Sequence, residues 1–208
     1  MEYEVRFYFS ESEKENIINK LNNIKDLKCS GTFYEKTTQY NSSDSNNDFY
    51  SKSIDGRYRV RITKGENETK CMLSWKRRLN DTKSGSVNKE EEIECRIDPR
   101  DYDNFIYLTE NVVKMIRVES YERYRTNYDN DEIEVSVDLY PFGLALEIEA
   151  KCDKNQEEIV EKYVKKLGLD LKDSYRLSWD DKYSELCESQ NIKKYSDVLF
   201  ENKDMPSM

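Results

Sequence analysis

Polar and apolar residues alternate over most of this chain, and the alternation gives way to helical spacing at only a few places. In residues 2–9, Glu2, Glu4, Arg6 and Tyr8 share one face of a strand, while Tyr3, Val5, Phe7 and Phe9 share the other. Ser10 or Ser12 is placed to cap a helix in which Ile17, Ile18, Leu21, Ile24 and Leu27 recur at helical spacing. Residues 30–36 read as a second strand. The polar run 41–48 reads as a mobile loop that the core can do without. Next, Arg57, Arg59 and Arg61 oppose Tyr58, Val60 and Ile62. Lys70, Met72, Ser74, Lys76 and Arg78 then oppose Cys71, Leu73, Trp75 and Arg77. A turn-rich stretch, 80–88, leads to Glu90, Glu92, Glu94 and Arg96, opposite Ile93, Cys95 and Ile97. Asp98 followed by Pro99 opens a helix carrying Tyr102, Phe105 and Ile106.

The second half repeats the pattern. Tyr121, Arg123, Arg125 and Asn127 share a strand face. Glu132, Glu134, Ser136 and Asp138 oppose Ile133, Val135, Val137 and Leu139. After a turn at 140–143, Ala145, Glu147 and Glu149 oppose Leu144, Leu146, Ile148 and Ala150. Asp153 is placed to cap a helix that Gly168 ends, and a last helix spans about 179–189 with Tyr183, Leu186 and Cys187 inward. Beyond residue 188 the chain is polar and weakly patterned. The reading is therefore one domain, 1–188, and a tail, 189–208, of which only Val198, Leu199 and Phe200 have a reason to dock.

Composition removes several classes of function. The 208 residues suit one domain, and 34 Lys+Arg against 43 Asp+Glu give a net charge of −9, which argues against a general nucleic-acid binder. Histidine is absent, so Ser-His-Asp and Cys-His catalysis and His-ligated zinc are excluded. Any metal must be held by carboxylates, which favours Mg²⁺, Mn²⁺ or Ca²⁺. Five cysteines without CxxC pairing suit reduced thiols. No stretch is apolar for long enough to span a membrane, and no signal region follows the acidic start, so the expectation is a cytoplasmic protein with no membrane partner.

The polar faces carry the chemistry. Acidic rows (Glu2/Glu4, Glu90/Glu92/Glu94, Glu134/Asp138, Glu147/Glu149) stand beside basic rows (Arg57/Arg59/Arg61, Lys76/Arg78, Arg123/Arg125). Taken alone, each could be the wet face of an antiparallel strand. Together, antiparallel strands tend to close and remove their edges, which places the apolar faces outside against helices and the ionised faces inside. Such a lumen cannot become a dry core. Its basic rows suit a polyanion, and its acidic rows suit divalent cations that bridge to it.

These rows, in this order, resemble the CYTH domain of the triphosphate tunnel metalloenzyme superfamily. Glu2-x-Glu4-x-Arg6 is similar to the family's opening ExExK, with arginine for the usual lysine. Arg59-x-Arg61, Lys76, Glu92-x-Glu94, Arg123-x-Arg125, then Asp138, Gly143 and Glu147-Ile148-Glu149 follow, and Lys182 to Leu186 is like its last helix. The resemblance covers about residues 1–188. It implies an α+β fold, an eight-stranded antiparallel β-barrel with a charged lumen and flanking helices, and Mg²⁺- or Mn²⁺-dependent chemistry on a small-molecule triphosphate. By the same resemblance, Glu2, Glu4, Glu92, Asp138, Glu147 and Glu149 are implied metal ligands. Arg6, Arg57, Arg59, Arg61, Lys76, Arg78, Arg123 and Arg125 are implied to bind substrate, and Glu94, Asp138 and Lys182 to serve catalysis. The implied activity is hydrolysis of the terminal phosphate of inorganic triphosphate or of a small organic triphosphate such as thiamine triphosphate. Left open beside it are removal of the terminal phosphate from an RNA 5′ end, cyclisation of ATP by a class IV adenylate cyclase, and a non-catalytic polyphosphate- or nucleotide-binding module.

Overall fold

The structure, a computed structural model, describes residues 3–78, 90–152 and 154–208, the side chains of Arg78 and Glu90 excepted. Glu2, the 80–88 connection and the Asp153 cap lie outside the described residues. Nine strands are present among those described: β1 Glu4–Phe9, β2 Lys28–Asn41, β3 Gly56–Lys64, β4 Thr69–Arg78, β5 Glu90–Ile97, β6 Ile116–Asp129, β7 Ile133–Tyr140, β8 Gly143–Ala150 and β9 Asp197–Val198. The helices are α1 Lys14–Asn22, α2 Tyr102–Tyr107, α3 Gln156–Lys166 and α4 Trp179–Ser189. Eight strands form one antiparallel sheet in the order β1-β8-β7-β6-β2-β3-β4-β5, and β9 adds to β6 in parallel. Among the described residues no hydrogen-bonded ladder joins β1 to β5, yet Arg6 of β1 and Lys76 of β4 line one cavity, so the sheet curls around a lumen. No described helix is long and apolar enough to cross a membrane.

The outward faces bury as the alternation dictates. Val5, Phe7, Val135, Val137, Leu146 and Ile148 meet Leu21 of α1 and Val160 and Val164 of α3 in the largest core cluster. Tyr40, Val60 and Cys71 are covered by Tyr102, Phe105 and Ile106 of α2. The Asp98 carboxylate caps this region by accepting the Arg100 amide at 3.0 Å.

The fourth helix departs from the expected layout. It packs not on an outer face but on Tyr121, Tyr140 and Ala145, and Tyr121 and Ala145 sit on the same strand faces as the lumen charges. Its start is fixed by a capping box: the Ser178 side chain accepts the Asp181 amide, and Asp181 Oδ2 accepts the Ser178 amide at 3.0 Å. This turn presents Trp179 inward, so α4 plugs one end of the lumen. The chain beyond α4 packs into the same body. Val198 is 1% exposed, and Met205 and Met208 pack on the α4 cluster.

Three local expectations are corrected. The helix after β1 ends at Asn22, and no side-chain cap holds its start; Ile24 and Leu27 reach the core from beyond its end. The tail is not apart from the domain. Finally, 41–48 is not an unanchored loop. Asn41 Oδ1 accepts the Phe49 amide at 2.9 Å while its amide donates to Asp48 at 2.8 Å, and the Phe49 ring packs edge-on to Trp75, centroids 5.0 Å apart. The segment supplies its own polar partners, so it needs few apolar anchors.

Candidate functional site

Strand pleating delivers one side chain in two to the lumen, and antiparallel register sets them side by side. Arg6 lies opposite Glu147, and Glu4 opposite Glu149, across β1 and β8. Arg57 lies opposite Lys76, and Lys76 opposite Glu92, across β3, β4 and β5. The result is a cavity of about 620 Å³. Seven cationic side chains line it: Arg6, Arg57, Arg59, Arg61, Lys76, Arg123 and Arg125. Eight acidic ones share it: Glu4, Asp55, Glu92, Glu94, Glu134, Glu147, Glu149 and Asp180.

The charges form a connected chain. Arg6 reaches Glu4 at 3.3 Å and Glu147 at 2.6 Å. The other Glu147 oxygen accepts from Arg125, which also grips both oxygens of Asp138 at 2.6 Å. Arg123 Nη1 donates to Asp138 at 2.7 Å and to the Tyr140 hydroxyl at 3.1 Å, while its Nε donates to Glu35 at 2.7 Å. Arg61 continues the chain, 3.9 Å from Glu35 and donating to Thr37 at 3.2 Å. Across the lumen, Glu92 takes Arg59 at 3.0 Å and Lys76 at 3.6 Å. Arg57 pairs with Asp55 at 3.3 Å and lies over the Tyr50 ring at 4.6 Å. Every cation of the cavity therefore has a carboxylate beside it.

Titration follows from this wiring. Burial alone would raise the Glu147 carboxyl, but Arg6 and then Arg125 hold it well below the usual carboxylate range. Glu35 is likewise lowered against its burial by Arg123 and Arg61. Arg59 is lowered by burial and by the neighbouring Arg61. Glu119, beside the plugged end, moves the other way. Burial, with Asp180 next, pushes it up to about 7, and Gln39 Nε2 donates to it at 2.8 Å.

Of the residues singled out from sequence, Arg6, Arg57, Arg59, Arg61, Lys76, Arg123, Arg125, Glu4, Glu92, Glu94, Glu147 and Glu149 come together in this cavity. Glu94 is the more exposed member of its row. Two do not line it. Asp138 is 0% exposed and sits behind the arginines, with both oxygens occupied by Arg123 and Arg125, so its place is that of a buttress rather than an open ligand. Lys182 lies over the Tyr175 ring at 5.1 Å and the Tyr8 ring at 5.9 Å, 3.7 Å from Glu185, and is not among the lining residues; the α4 residues that line the cavity are Trp179 and Asp180, next to Ser178. Sequence reasoning missed Glu35, Gln39, Tyr121 and Tyr140. The Glu35-x-Thr37-x-Gln39 period was visible, but β2 is polar on both faces, so alternation could not say which face turns inward.

A divalent ion is implied by the resemblance, and the donor set fits one in kind. Glu4 faces Glu149, and Glu149 faces Glu134, across three adjacent strands, all offering hard oxygen donors to the same cavity. Among the described residues no three acidic or cysteine side chains converge closely enough to hold an ion by themselves.

No family model matches the sequence, and no curated protein matches it. Solved structures do match. The PH1012 protein of Pyrococcus horikoshii superposes with a TM-score of 0.66 over 87% of this chain and 98% of its own, at 17% identity. A candidate adenylate cyclase from Vibrio parahaemolyticus gives 0.64 over 88% and 97%, at 14% identity. The HpAC1 protein of Hippeastrum, a candidate adenylyl cyclase with a dominant triphosphatase activity, gives 0.59 over 93% and 98%, at 19% identity. At these identities the likeness is one of fold.

Proposed function

From the premise that this chain has the CYTH-type triphosphate tunnel fold, we propose that it is a divalent-metal-dependent triphosphatase. It hydrolyses the terminal phosphate of inorganic triphosphate or of a small organic triphosphate such as thiamine triphosphate. The observation that carries this reading is the charge count of the cavity, seven cations against eight acids among the described residues. A lumen so balanced does not attract a polyanion on its own cations alone. It becomes a polyphosphate site once divalent ions offset the acidic side, which is the division of labour phosphoryl transfer asks for. The dominant triphosphatase activity of the Hippeastrum protein, which shares the fold, supports hydrolysis over cyclisation.

In this reading Arg59, Arg61 and Lys76 hold phosphate oxygens from the β3–β4 side, with Arg6 and Arg125 facing them. Asp138 and Glu35 fix Arg123, and Asp138 also fixes Arg125, so the forks are preorganised. Glu4 and Glu149 are the carboxylates that would hold Mg²⁺ or Mn²⁺, which when bound offsets phosphate charge. Glu94, exposed and lining the cavity, is the carboxylate assigned to orient a water for attack. The α4 plug closes one end and keeps bulk water from it. All five cysteines are unpaired thiols, in keeping with a cytoplasmic location.

A phosphate-release panel tests the proposal. Inorganic triphosphate, thiamine triphosphate, ATP and triphosphate-ended RNA are offered with Mg²⁺ or Mn²⁺, and cyclic AMP is followed separately. Metal-dependent release from the small triphosphates is expected. Cyclic AMP as the main product, or release only from RNA, would overturn it.

A further inference from the structure

Tyr121 is the residue of the cavity whose surroundings are hardest to explain as packing alone. It lies on β6 two residues before Arg123, lines the lumen and is 2% exposed. Its ring is held by α4 and β7, with Trp179 4.2 Å and Tyr140 6.0 Å away between centroids. Across the sheet Tyr121 lies opposite Thr37 of β2, which lies opposite Arg61 of β3 and accepts from its Nε at 3.2 Å, and Arg59 and Arg123 line the same cavity. Burial pushes a phenol up. Here Arg61, Arg123 and Arg59 outweigh burial and bring Tyr121 below its ordinary value. Tyr140, beside it, is pushed up by burial first, and there Asp138 and Glu147 work against Arg123. Two neighbouring tyrosines of one cavity are thus driven apart by the charges around them.

An aromatic placed only to seat the α4 plug needs no hydroxyl, and phenylalanine would stack on Trp179 as well. The hydroxyl belongs instead to a cavity wall that Tyr121 shares with Arg59, Arg61 and Arg123, the place an anion is drawn to. We infer that Tyr121 is a further substrate-contacting residue, its hydroxyl donating a hydrogen bond to a phosphate oxygen held among Arg59, Arg61 and Arg123. The inference rests on the polyphosphate reading of the cavity and adds to it a neutral donor. An anion arriving there cancels part of the arginine field, so the phenol regains its hold on its proton as it gains an acceptor. Binding and the protonation of Tyr121 are coupled.

The test compares wild type with Tyr121→Phe, which keeps the ring and its stacking. Phenolate ultraviolet absorbance is followed as pH rises, with and without inorganic triphosphate, and triphosphate binding is measured by calorimetry with Mg²⁺ present. The unliganded wild type should show one tyrosine ionising ahead of the rest, the Phe variant should lack it, and triphosphate should move it to higher pH. Affinity for triphosphate should fall about tenfold or more in the variant, the cost of one hydrogen bond to a charged group, with the unliganded melt unchanged. Wild-type affinity in the variant, or an early phenolate that survives the substitution, overturns the role of Tyr121 while leaving the polyphosphate reading intact. A wild type that binds no triphosphate overturns that reading and the inference with it.

Discussion

Replacing Glu147 by glutamine separates two roles that the same carboxylate could have. If it were chiefly one of several mutually repelling metal ligands, removing its charge in metal-free buffer would leave stability unchanged or raise it. The structure points the other way, because one oxygen is bound by Arg6 and the other by Arg125, with both partners 15% exposed. Removing one member of a buried pair costs about 3–5 kcal/mol. Arg6 keeps Glu4 and Arg125 keeps Asp138, which puts the loss near the low end, about 3 kcal/mol. For a chain of this length each kcal/mol moves the melting temperature by about 2–4 °C, so Glu147→Gln should melt about 6–12 °C below wild type without metal. The pH dependence is fixed in sign. A carboxyl lowered in the folded state contributes stability above its unfolded value and loses it as pH falls through the folded one. The gap between variant and wild type should therefore be full at neutral pH and close in acid, below the usual carboxylate range. Calorimetric melts in chelator across pH make the measurement. A variant as stable as wild type, or more stable, would refute the ion-pair account and return Glu147 to the metal.

Further outcomes follow from other parts of the lumen. Arg59→Ala and Arg61→Ala should each cut triphosphatase activity by about 1.5–3 kcal/mol of binding to charged oxygens, with circular dichroism unchanged; full activity in both would remove β3 from the site. Glu119, raised to about 7 from 4.5, favours folding in its neutral form, so wild type should lose on the order of 3 kcal/mol as pH rises from 4.5 to 7. Glu119→Gln should abolish that slope and be the more stable protein above pH 7, and a slope that persists would show the titration belongs elsewhere. A Cβ on Gly56 would stand 2.2 Å from the Trp75 ring, so Gly56→Ala should destabilise by about 1–3 kcal/mol in a denaturant melt, whereas a neutral result would mean the indole has room to shift.

Much of the fold could be read from alternation because the lumen is ionised and the outside apolar, so period and polarity agree on strands such as β1, β3, β7 and β8. The arginines and glutamates of those strands were found for that reason. Where both faces are polar, as on β2, the period shows a strand but not its inside, and Glu35 and Gln39 went unassigned. Asp138 and Lys182 were legible as motif positions but not as contacts. Which of two charged residues on one face becomes a buttress depends on what the neighbouring strand brings to it, and for Asp138 that is Arg123 and Arg125 together. The inward turn of α4 was hidden because Trp179, Tyr183 and Cys187 have the spacing of any amphipathic helix; nothing in that spacing says that the apolar surface awaiting it lies inside the barrel.

If the lumen takes a polyphosphate as proposed, the run of ion pairs from Glu4 through Arg6, Glu147, Arg125, Asp138 and Arg123 to Glu35 makes its occupancy an exchange reaction. An incoming phosphate would meet guanidinium groups that already hold an anion, so it would displace a lining carboxylate such as Glu147 or share an arginine with the buried Asp138 or Glu35. A lone monoanion can replace one link at best and gains little over the carboxylate it displaces. A chain of linked phosphates can contest several links at once, each displacement making the next intramolecular. Under the proposed function the ladder is a length filter, rejecting single anions by competition rather than by shape.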